Sequence, residues 1–334
     1  MTAAVILGCA GTELTAEERA FYRDVDPLGF ILFARNVADP DQMRRLTGDL
    51  RAAVGRDDAP ILIDQEGGRV ARLKPPHWRA MPPAARFGEI AMIDRARAAS
   101  AVRINHELLA GELRAIGIDV DCTPVLDLKR PETTTAIGDR AFAADPHLVA
   151  DLGRAAAEGL MAGGVIPVIK HIPGHGRATL DSHLDLPRID AEFDSLVDSD
   201  FVPFRKLNDL PWGITAHLVY AAIDPEKPAT LSARVINEVI RGEIGFTGLL
   251  ISDDMSMKAL QGSLDRLAAE LVAAGCDVAL HCNGKLDEMR LVAAGCGSLS
   301  PAARLRYERG RQRVNREPEF DVQELAEELA ELMV

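Results

Sequence analysis

Aromatic residues make up only 4% of this chain of 334 residues, so a core of any size must be assembled from Val, Ile, Leu and Ala, within an apolar share of 47%. Positive charge is also short: 38 basic residues face 51 acidic ones, a net charge of −13. That balance repels phosphate backbones and anionic lipid surfaces, so nucleic acid and membranes are not expected as partners. The cysteines at 9, 122, 276, 282 and 296 are odd in number and scattered. No Cys-x-x-Cys pair exists for zinc, and the apolar surroundings suit reduced core thiols in a reducing compartment. Long apolar runs are missing too, none approaching the roughly 18 residues a membrane span needs. Ile6-Leu7-Gly8-Cys9 resembles a lipoprotein cleavage site but lacks the basic leader and a full apolar segment before it. A cytoplasmic protein is therefore expected. No linker, repeat or low-complexity tract appears, which predicts a single domain over 1–334 with a charged helical extension from about 300, docked by Leu325, Leu329 and Leu332.

What the chain does have is a recurring apolar run that ends in a polar or glycine-containing loop. Such runs lie at 4–9, 29–33, 61–64, 118–126, 165–170, 213–219, 249–253 and 276–281. Helical spacing fills most of the intervals. Ile104, Leu108, Leu109, Leu113 and Ile116 form one face, closed by Gly117. A second helix is capped by Asp145-Pro146 and stops at Gly163-Gly164. A third is predicted from Ser256, with Met257, Leu260, Leu264, Leu267, Leu271 and Val272 on its buried face before Gly275. Strand and helix alternating in this way most economically close as an α/β fold of the TIM-barrel type, (β/α)8, with the site on the face where the strands end. Long loops at 128–144 and 172–200 fall on that face.

Chemistry gathers at the strand ends. The stretch 165–187 reads VIPVIKHIPGHGRATLDSHLDLP. Lys170 and His171 close its apolar run, and Pro173, Gly174 and Gly176 forbid a helix directly afterwards, so His175 and Asp181-Ser182-His183 ride on a loop. In ILIDQEGGRVARL, Asp64 ends a strand and reads as a ligand for substrate hydroxyls, or else as a capping residue beside solvated Arg69 and Arg72. Arg140, in the loop after the fourth run, reads as a site residue or as a surface ion-pair partner. In GLLISDDMSM, two adjacent carboxylates cannot share one direction. Asp253, nearest the strand end, is assigned to the mouth, and Asp254 to capping the helix that comes next.

Several chemistries compete for this inventory. A metal site would use His171, His175 and His183, but Pro173 and the glycines remove the helix on which an i, i+4 pair chelates. No metal or other cofactor is expected, although barrel loops can assemble ligands in other ways. Residues 181–183 cannot form a Ser-His-Asp triad, since consecutive side chains project apart. A phosphate cradle at 174–176 has two glycines but no helix after them. Glycoside hydrolysis fits best, with Asp253 as the carboxylate on one side of the sugar and His183, oriented by Asp181 two residues earlier, as proton donor on the other. A histidine donor departs from the usual carboxylate pair. A glycoside phosphorylase on the same sugar and a silent sugar-binding barrel remain as alternatives.

The strings Lys170-His171-x-Pro173-Gly174-His175-Gly176, Asp181-Ser182-His183, Asp64-Gln65-Glu66-Gly67-Gly68-Arg69-Val70 and Ser252-Asp253-Asp254-Met255-x-Met257 resemble the single-domain bacterial β-N-acetylhexosaminidases of glycoside hydrolase family 3. The resemblance runs from Gly29-Phe30-Ile31-Leu32-Phe33 to the eighth strand. It implies a retaining two-step mechanism with Asp253 at the nucleophile position and His183 at the acid/base position, paired to Asp181. It implies substrate contacts at Asp64, Arg72, Arg140, Lys170 and His171, and substrates ending in β-linked N-acetylglucosamine, notably cell-wall muropeptides recovered in the cytoplasm. The chain departs where relatives often read KHFPGHGDT: Ile172 replaces the aromatic residue, and Arg177-Ala178 replace the acidic-threonine pair. The glycines predict, finally, that His183 is carried on a mobile segment hinged at Gly176 that closes over bound sugar.

Overall fold

The eight apolar runs become eight parallel strands that close on themselves. In the computed structural model, which describes residues 1–131, 137–178, 186–315 and 317–334, they are β1 (Ala3–Leu7), β2 (Pro27–Leu32), β3 (Ile61–Ile63), β4 (Val120–Asp121), β5 (Ile166–Ile172), β6 (Trp212–Thr215), β7 (Leu249–Asp254) and β8 (Val278–His281). Each pairs with its chain neighbours, and β1 pairs with β8 to complete the barrel. This is the (β/α)8 architecture. Strand residues such as Val5, Ile61, Val168 and Leu250 are fully buried, because helices cover the outside and side chains fill the inside.

Two irregularities sit at the end of the barrel that carries the polar residues. Ile169 lies opposite Gly213 and Ile172 opposite Thr215, so three steps along β5 match two along β6. Ile251 lies opposite Val278 and Asp254 opposite Leu280, the same mismatch between β7 and β8. Each marks one extra residue at a strand's C-terminal end, and such bulges re-aim side chains. The first falls on Lys170-His171 and the second on Ser252-Asp253. At the second, the Leu280 N–H donates to the Ser252 hydroxyl at 2.9 Å, which takes the place of a ladder bond.

The helices follow their caps. Asp145 accepts from the His147 and Leu148 amides to start Pro146–Ala162, with Pro146 at the first position and Gly163 at the end. Arg95–Arg114 packs alongside, close enough at Gly159 that a Cβ there would meet the Arg103 carbonyl at 2.2 Å. It ends before Gly117, which turns the chain at φ 80°. Helices Pro301–Arg311 and Val322–Leu332 cover the remaining flank. Leu329 is buried, Leu325 and Leu332 pack against the core, and Arg97 donates to the Leu332 carbonyl at 2.9 Å. Among the described residues no helix is long and apolar enough to cross a membrane, and all five cysteines are buried and free.

Three local expectations are corrected. The strand expected over 118–126 stops after Asp121, because Pro124 has no N–H for the ladder. The chain nevertheless stays alongside β5 through a bridge from Val125 to Lys170. The loop expected over 172–200 holds short elements, Arg188–Ile189 paired with Val219–Tyr220 and a helical segment over 193–200, and β5 itself runs on to Ile172. The helix expected from Ser256 starts only at Leu264, since Asp254 captures the Ser256 amide and hydroxyl in a turn and Gly262, at φ 136°, breaks the run. Met257 therefore points into the barrel mouth and not along a helix face.

Candidate active site

The strand ends enclose a cleft of about 340 Å³. Asp64, Arg72, Arg140, Lys170, His171 and Asp253 all line it. Asp181, Ser182 and His183 lie outside the described residues, as does the expected closure of their segment.

A buried ionic network fills one side. The Lys170 ammonium donates to Asp64 at 2.8 Å and sits 2.6 Å from Glu66. Arg140, carried on the turn Gly138–Arg140, grips Glu66 with two bonds of 2.7 and 2.8 Å. Arg72 reaches the other Asp64 oxygen at 3.1 Å. Burial alone would raise both carboxyls, but the cations win. Lys170 and Arg72 hold Asp64 well below the usual carboxylate range, and Arg140 with Lys170 draws Glu66 down to about 2. Burial works against the Lys170 charge in the same way, and Asp64 and Glu66 more than compensate, raising it above an ordinary lysine. Arg140 is accordingly an interior residue, its side chain 12% exposed, whereas Arg69 forms a half-exposed pair with Asp139 on the rim.

Beneath this network Asp121 makes no ion pair among the described residues. It accepts the Gln65 amide at 2.9 Å, its second oxygen is buried without a partner, and burial lifts its carboxyl to about 8.

Asp253 and Asp254 differ in how their oxygens are used. Asp254 accepts from the Cys282 amide at 3.1 Å, the Ser256 amide at 3.0 Å and the Ser256 hydroxyl at 2.7 Å, so it clamps a turn to the end of β8 and does not cap a helix. Asp253 accepts one bond, from the Asp254 amide at 2.8 Å, and among the described residues it makes no ion pair. Burial would raise its carboxyl, yet the neighbouring His171 and His217 imidazoles, the Asp254 amide and the Lys170 ammonium leave it below the usual value.

Asp127 organises the start of the loop after β5. One oxygen faces His171 Nδ1 at 2.7 Å, and the other accepts the His175 amide at 2.6 Å. Burial and the neighbouring His171 push the His175 imidazole down to about 4. Arg177, the departure from the related motif, turns away from the cleft. It donates to Asp200 at 2.7 Å, where Arg130 also binds at 3.0 Å, while Ala178 is buried. Gly176 does not need to be a hinge to be required, since a Cβ there would lie 2.4 Å from the Leu128 carbonyl.

Comparison with known proteins gives the family. The sequence model described as the glycosyl hydrolase family 3 N-terminal domain matches residues 8–315. The chain belongs to glycosyl hydrolase family 3. Within that family it is 42% identical over 286 residues to a beta-hexosaminidase from Alkalilimnicola ehrlichii, a match covering 84% of this chain and 80% of that one. A Pseudomonas aeruginosa beta-hexosaminidase is 38% identical over 320 residues, 94% of this chain and 93% of its own. Among solved structures, NagZ from Neisseria gonorrhoeae in complex with N-trifluoroacetyl-D-glucosamine superposes with a TM-score of 0.88 at 32% identity, covering 99% of this chain and 97% of that one. This family 3 chain is therefore a glycosidase of the single-domain bacterial β-N-acetylhexosaminidase group.

Glu66, Asp127 and His217 are functional candidates that sequence reasoning missed. Glu66 stands in plain view inside the Asp64-Gln65-Glu66 string, but nothing in the string says which cations will converge on it. Asp127 comes after Val125-Leu126 just as Asp64 comes after Ile61-Leu62-Ile63, and that repetition is the available signal. His217 is hidden inside an otherwise apolar run.

Proposed function

We propose that this glycosidase is a retaining exo-β-N-acetylglucosaminidase, with Asp253 as nucleophile, that releases terminal β-linked N-acetylglucosamine from peptidoglycan fragments in the cytoplasm, the whole chain acting as one catalytic domain. One observation carries the assignment of Asp253. The other cleft carboxylates have their oxygens committed, Asp64 and Glu66 to cations and Asp254 to a turn, while Asp253 is held ionised with one oxygen free of any such bond. A nucleophile needs both the charge and an open lone pair.

In this reading Asp253 attacks C1 of the sugar while His183, with Asp181 behind it, protonates the departing glycosidic oxygen. The C1–O bond breaks as the C1–Asp253 ester forms. The now neutral His183 takes a proton from water, whose oxygen attacks C1 and returns Asp253 as carboxylate, with net retention. Asp64, Arg72, Arg140, Lys170 and His171 hold the sugar by charge-assisted hydrogen bonds, and their mutual ion pairs fix that array before substrate arrives. Support for an acetamido sugar comes from the beta-hexosaminidase relatives and from the N-acylglucosamine bound by the gonococcal protein. The peptidoglycan source rests on the motif resemblance.

Chromophore release from an aryl β-N-acetylglucosaminide, set beside the matching glucoside and galactosaminide and repeated with added phosphate, tests the reading. Fast turnover of the first substrate, unaffected by phosphate, is expected. Equal rates on the glucoside would remove the acetamido requirement, and a phosphate-dependent rate yielding the sugar phosphate would make the protein a phosphorylase.

A further inference from the structure

One buried polar chain beside the site has no part in the glycosyl-transfer steps. Thr215, His217 and Thr230 are fully buried, and none of them lines the cleft. Thr215 ends β6 and His217 comes two residues later. Thr230 lies in the turn Ala229–Leu231, which is held against the same segment by a 2.8 Å bond from the Ala229 amide to the Leu218 carbonyl. His217 Nε2 is 3.1 Å from the backbone oxygen of Asp254, and His217 Nδ1 is 2.8 Å from Thr230 Oγ1. Thr230 Oγ1 is in turn 2.8 Å from Thr215 Oγ1.

Counting protons gives this chain a direction. A carbonyl oxygen only accepts, so His217 Nε2 carries a hydrogen. Burial disfavours the charged imidazole and lowers its pKa, so in the neutral ring Nδ1 is bare and accepts. The one Thr230 hydroxyl hydrogen has two acceptors in reach, the Ala216 carbonyl at 3.1 Å and the bare Nδ1 at 2.8 Å. It goes to Nδ1, the nearer of the two and the one with no other donor among the described residues, and the Thr215 hydroxyl donates to Thr230. All three bonds point toward the Asp254 carbonyl. That carbonyl also accepts the Met257 amide at 3.1 Å, which fills its two lone pairs. The Asp254 amide, on the other side of the same residue, donates to Asp253 Oδ1. The residue that presents the Asp253 carboxylate is thus tied at its amide, its carboxylate and its carbonyl.

We infer that His217, held as the Nε2–H tautomer by Thr230 and Thr215, is a positioning residue that fixes the Asp253 carboxylate through Asp254. The inference rests on the reading of Asp253 as nucleophile. Its physical basis is that reacting atoms must be held in a near-attack geometry, where a shift of about 1 Å costs on the order of 100-fold in rate. Thr230 makes no contact with the cleft, so a change there alters turnover only by way of this chain.

The experiment compares Thr230→Val, which keeps the shape and removes the donor, with Thr230→Ser, which keeps the donor. His217→Phe and His217→Gln form a second pair, since glutamine retains an N–H near the Nε2 position. The readout is kcat on an aryl β-N-acetylglucosaminide per inhibitor-binding site, with sites counted by calorimetric titration of a competitive N-acetylglucosamine analogue. This normalisation removes any loss due to misfolded protein, which a purely structural role would produce. Thr230→Val and His217→Phe are expected to lose about tenfold or more in kcat per site, while KM and inhibitor affinity stay within about twofold. Thr230→Ser and His217→Gln should recover most of the loss. If Thr230→Val does not fold, Thr215→Val, one step further back, should show a smaller loss of the same kind. Unchanged kcat per site in the folded valine variants overturns the inference. Asp253→Ala, measured alongside, separates the two readings: if it is inactive while the valine variants are normal, only the positioning role fails, and if it is active, the nucleophile assignment fails and takes the positioning role with it.

Discussion

Replacing Glu66 by glutamine keeps the side chain's shape and removes one of the two negative charges that hold Lys170 and Arg140. In the native protein the carboxylate accepts two bonds from Arg140, at 2.7 and 2.8 Å, and lies 2.6 Å from Lys170, in a position 5% exposed. An amide offers one acceptor oxygen and turns an N–H toward a cation, so Arg140 loses its carboxylate and Lys170 keeps only Asp64. Removing one partner of a buried ion pair costs about 3–5 kcal/mol. The carboxyl itself gives a similar figure, because a displacement from 4.5 to about 2 corresponds to about 3 kcal/mol. At about 2.1 cal/mol/K per residue, a chain of 334 residues unfolds with an entropy near 0.7 kcal/mol/K, so about 3 kcal/mol lowers Tm by about 4 °C. The pH dependence has a definite sign. A depressed carboxyl contributes its stability above the unfolded pKa and loses it as pH falls toward the folded value. The gap in Tm between native protein and variant should therefore be widest at neutral pH and close on acidification from 4.5 to about 2. Calorimetric melts across that range measure it. A gap under about 1 °C at neutral pH, or one that widens on acidification, refutes the reasoning.

Further predictions concern neighbouring residues. Asp254→Ala removes three hydrogen bonds to a carboxylate and should destabilise the fold by about 2 kcal/mol or more, whereas Asp253→Ala should abolish nearly all turnover with Tm preserved; melts and rates on the two variants check this. His183→Ala should harm substrates with poor leaving groups far more than aryl glycosides of acidic phenols, and Asp181→Asn should show the same trend more weakly; equal losses across a leaving-group series would remove the acid role. Asp121 is a buried carboxyl raised from 3.8 to about 8, so between those values the unfolded chain ionises it while the fold keeps it protonated, and stability falls as pH rises. Asp121→Asn, whose oxygen can still accept the Gln65 amide, should be more stable than the native protein at alkaline pH by upwards of about 1 kcal/mol, and less so as pH falls toward the ordinary carboxylate range. Denaturant titrations at two pH values read the difference.

The barrel was legible because burial on both faces forces parallel strands to be continuous apolar runs, and all eight runs were long enough to stand out. The strand-end residues were legible for the same reason: Asp64, the pair Lys170-His171 and Asp253 are the first ionisable groups after such a run, and all four line the cleft. The bulges were not. An extra residue on β5 or β7 shows only in the register against the neighbouring strand, a long-range property absent from either strand's own sequence. The false helix start at Ser256 has a related cause. Met257 and Leu260 have helical spacing to Leu264, but Met257 is buried at the barrel mouth and Leu260 packs partly buried against the core, each from the turns before the helix. Arg140 could not be told from a surface residue because its partner Glu66 lies 74 positions away. Arg177 shows the converse, a departure within the site motif whose partner, Asp200, takes it away from the cleft.

The most direct test of Asp253 as nucleophile is to trap the covalent intermediate. A fluorinated N-acetylglucosaminyl inactivator that slows breakdown of the glycosyl-enzyme, followed by proteolysis and mass spectrometry, should place one sugar on the side chain of Asp253, with no adduct in Asp253→Ala and an undiminished one in folded Asp254→Asn. A sugar found on another residue, or turnover of the inactivator with no adduct and release of the inverted anomer, would contradict it.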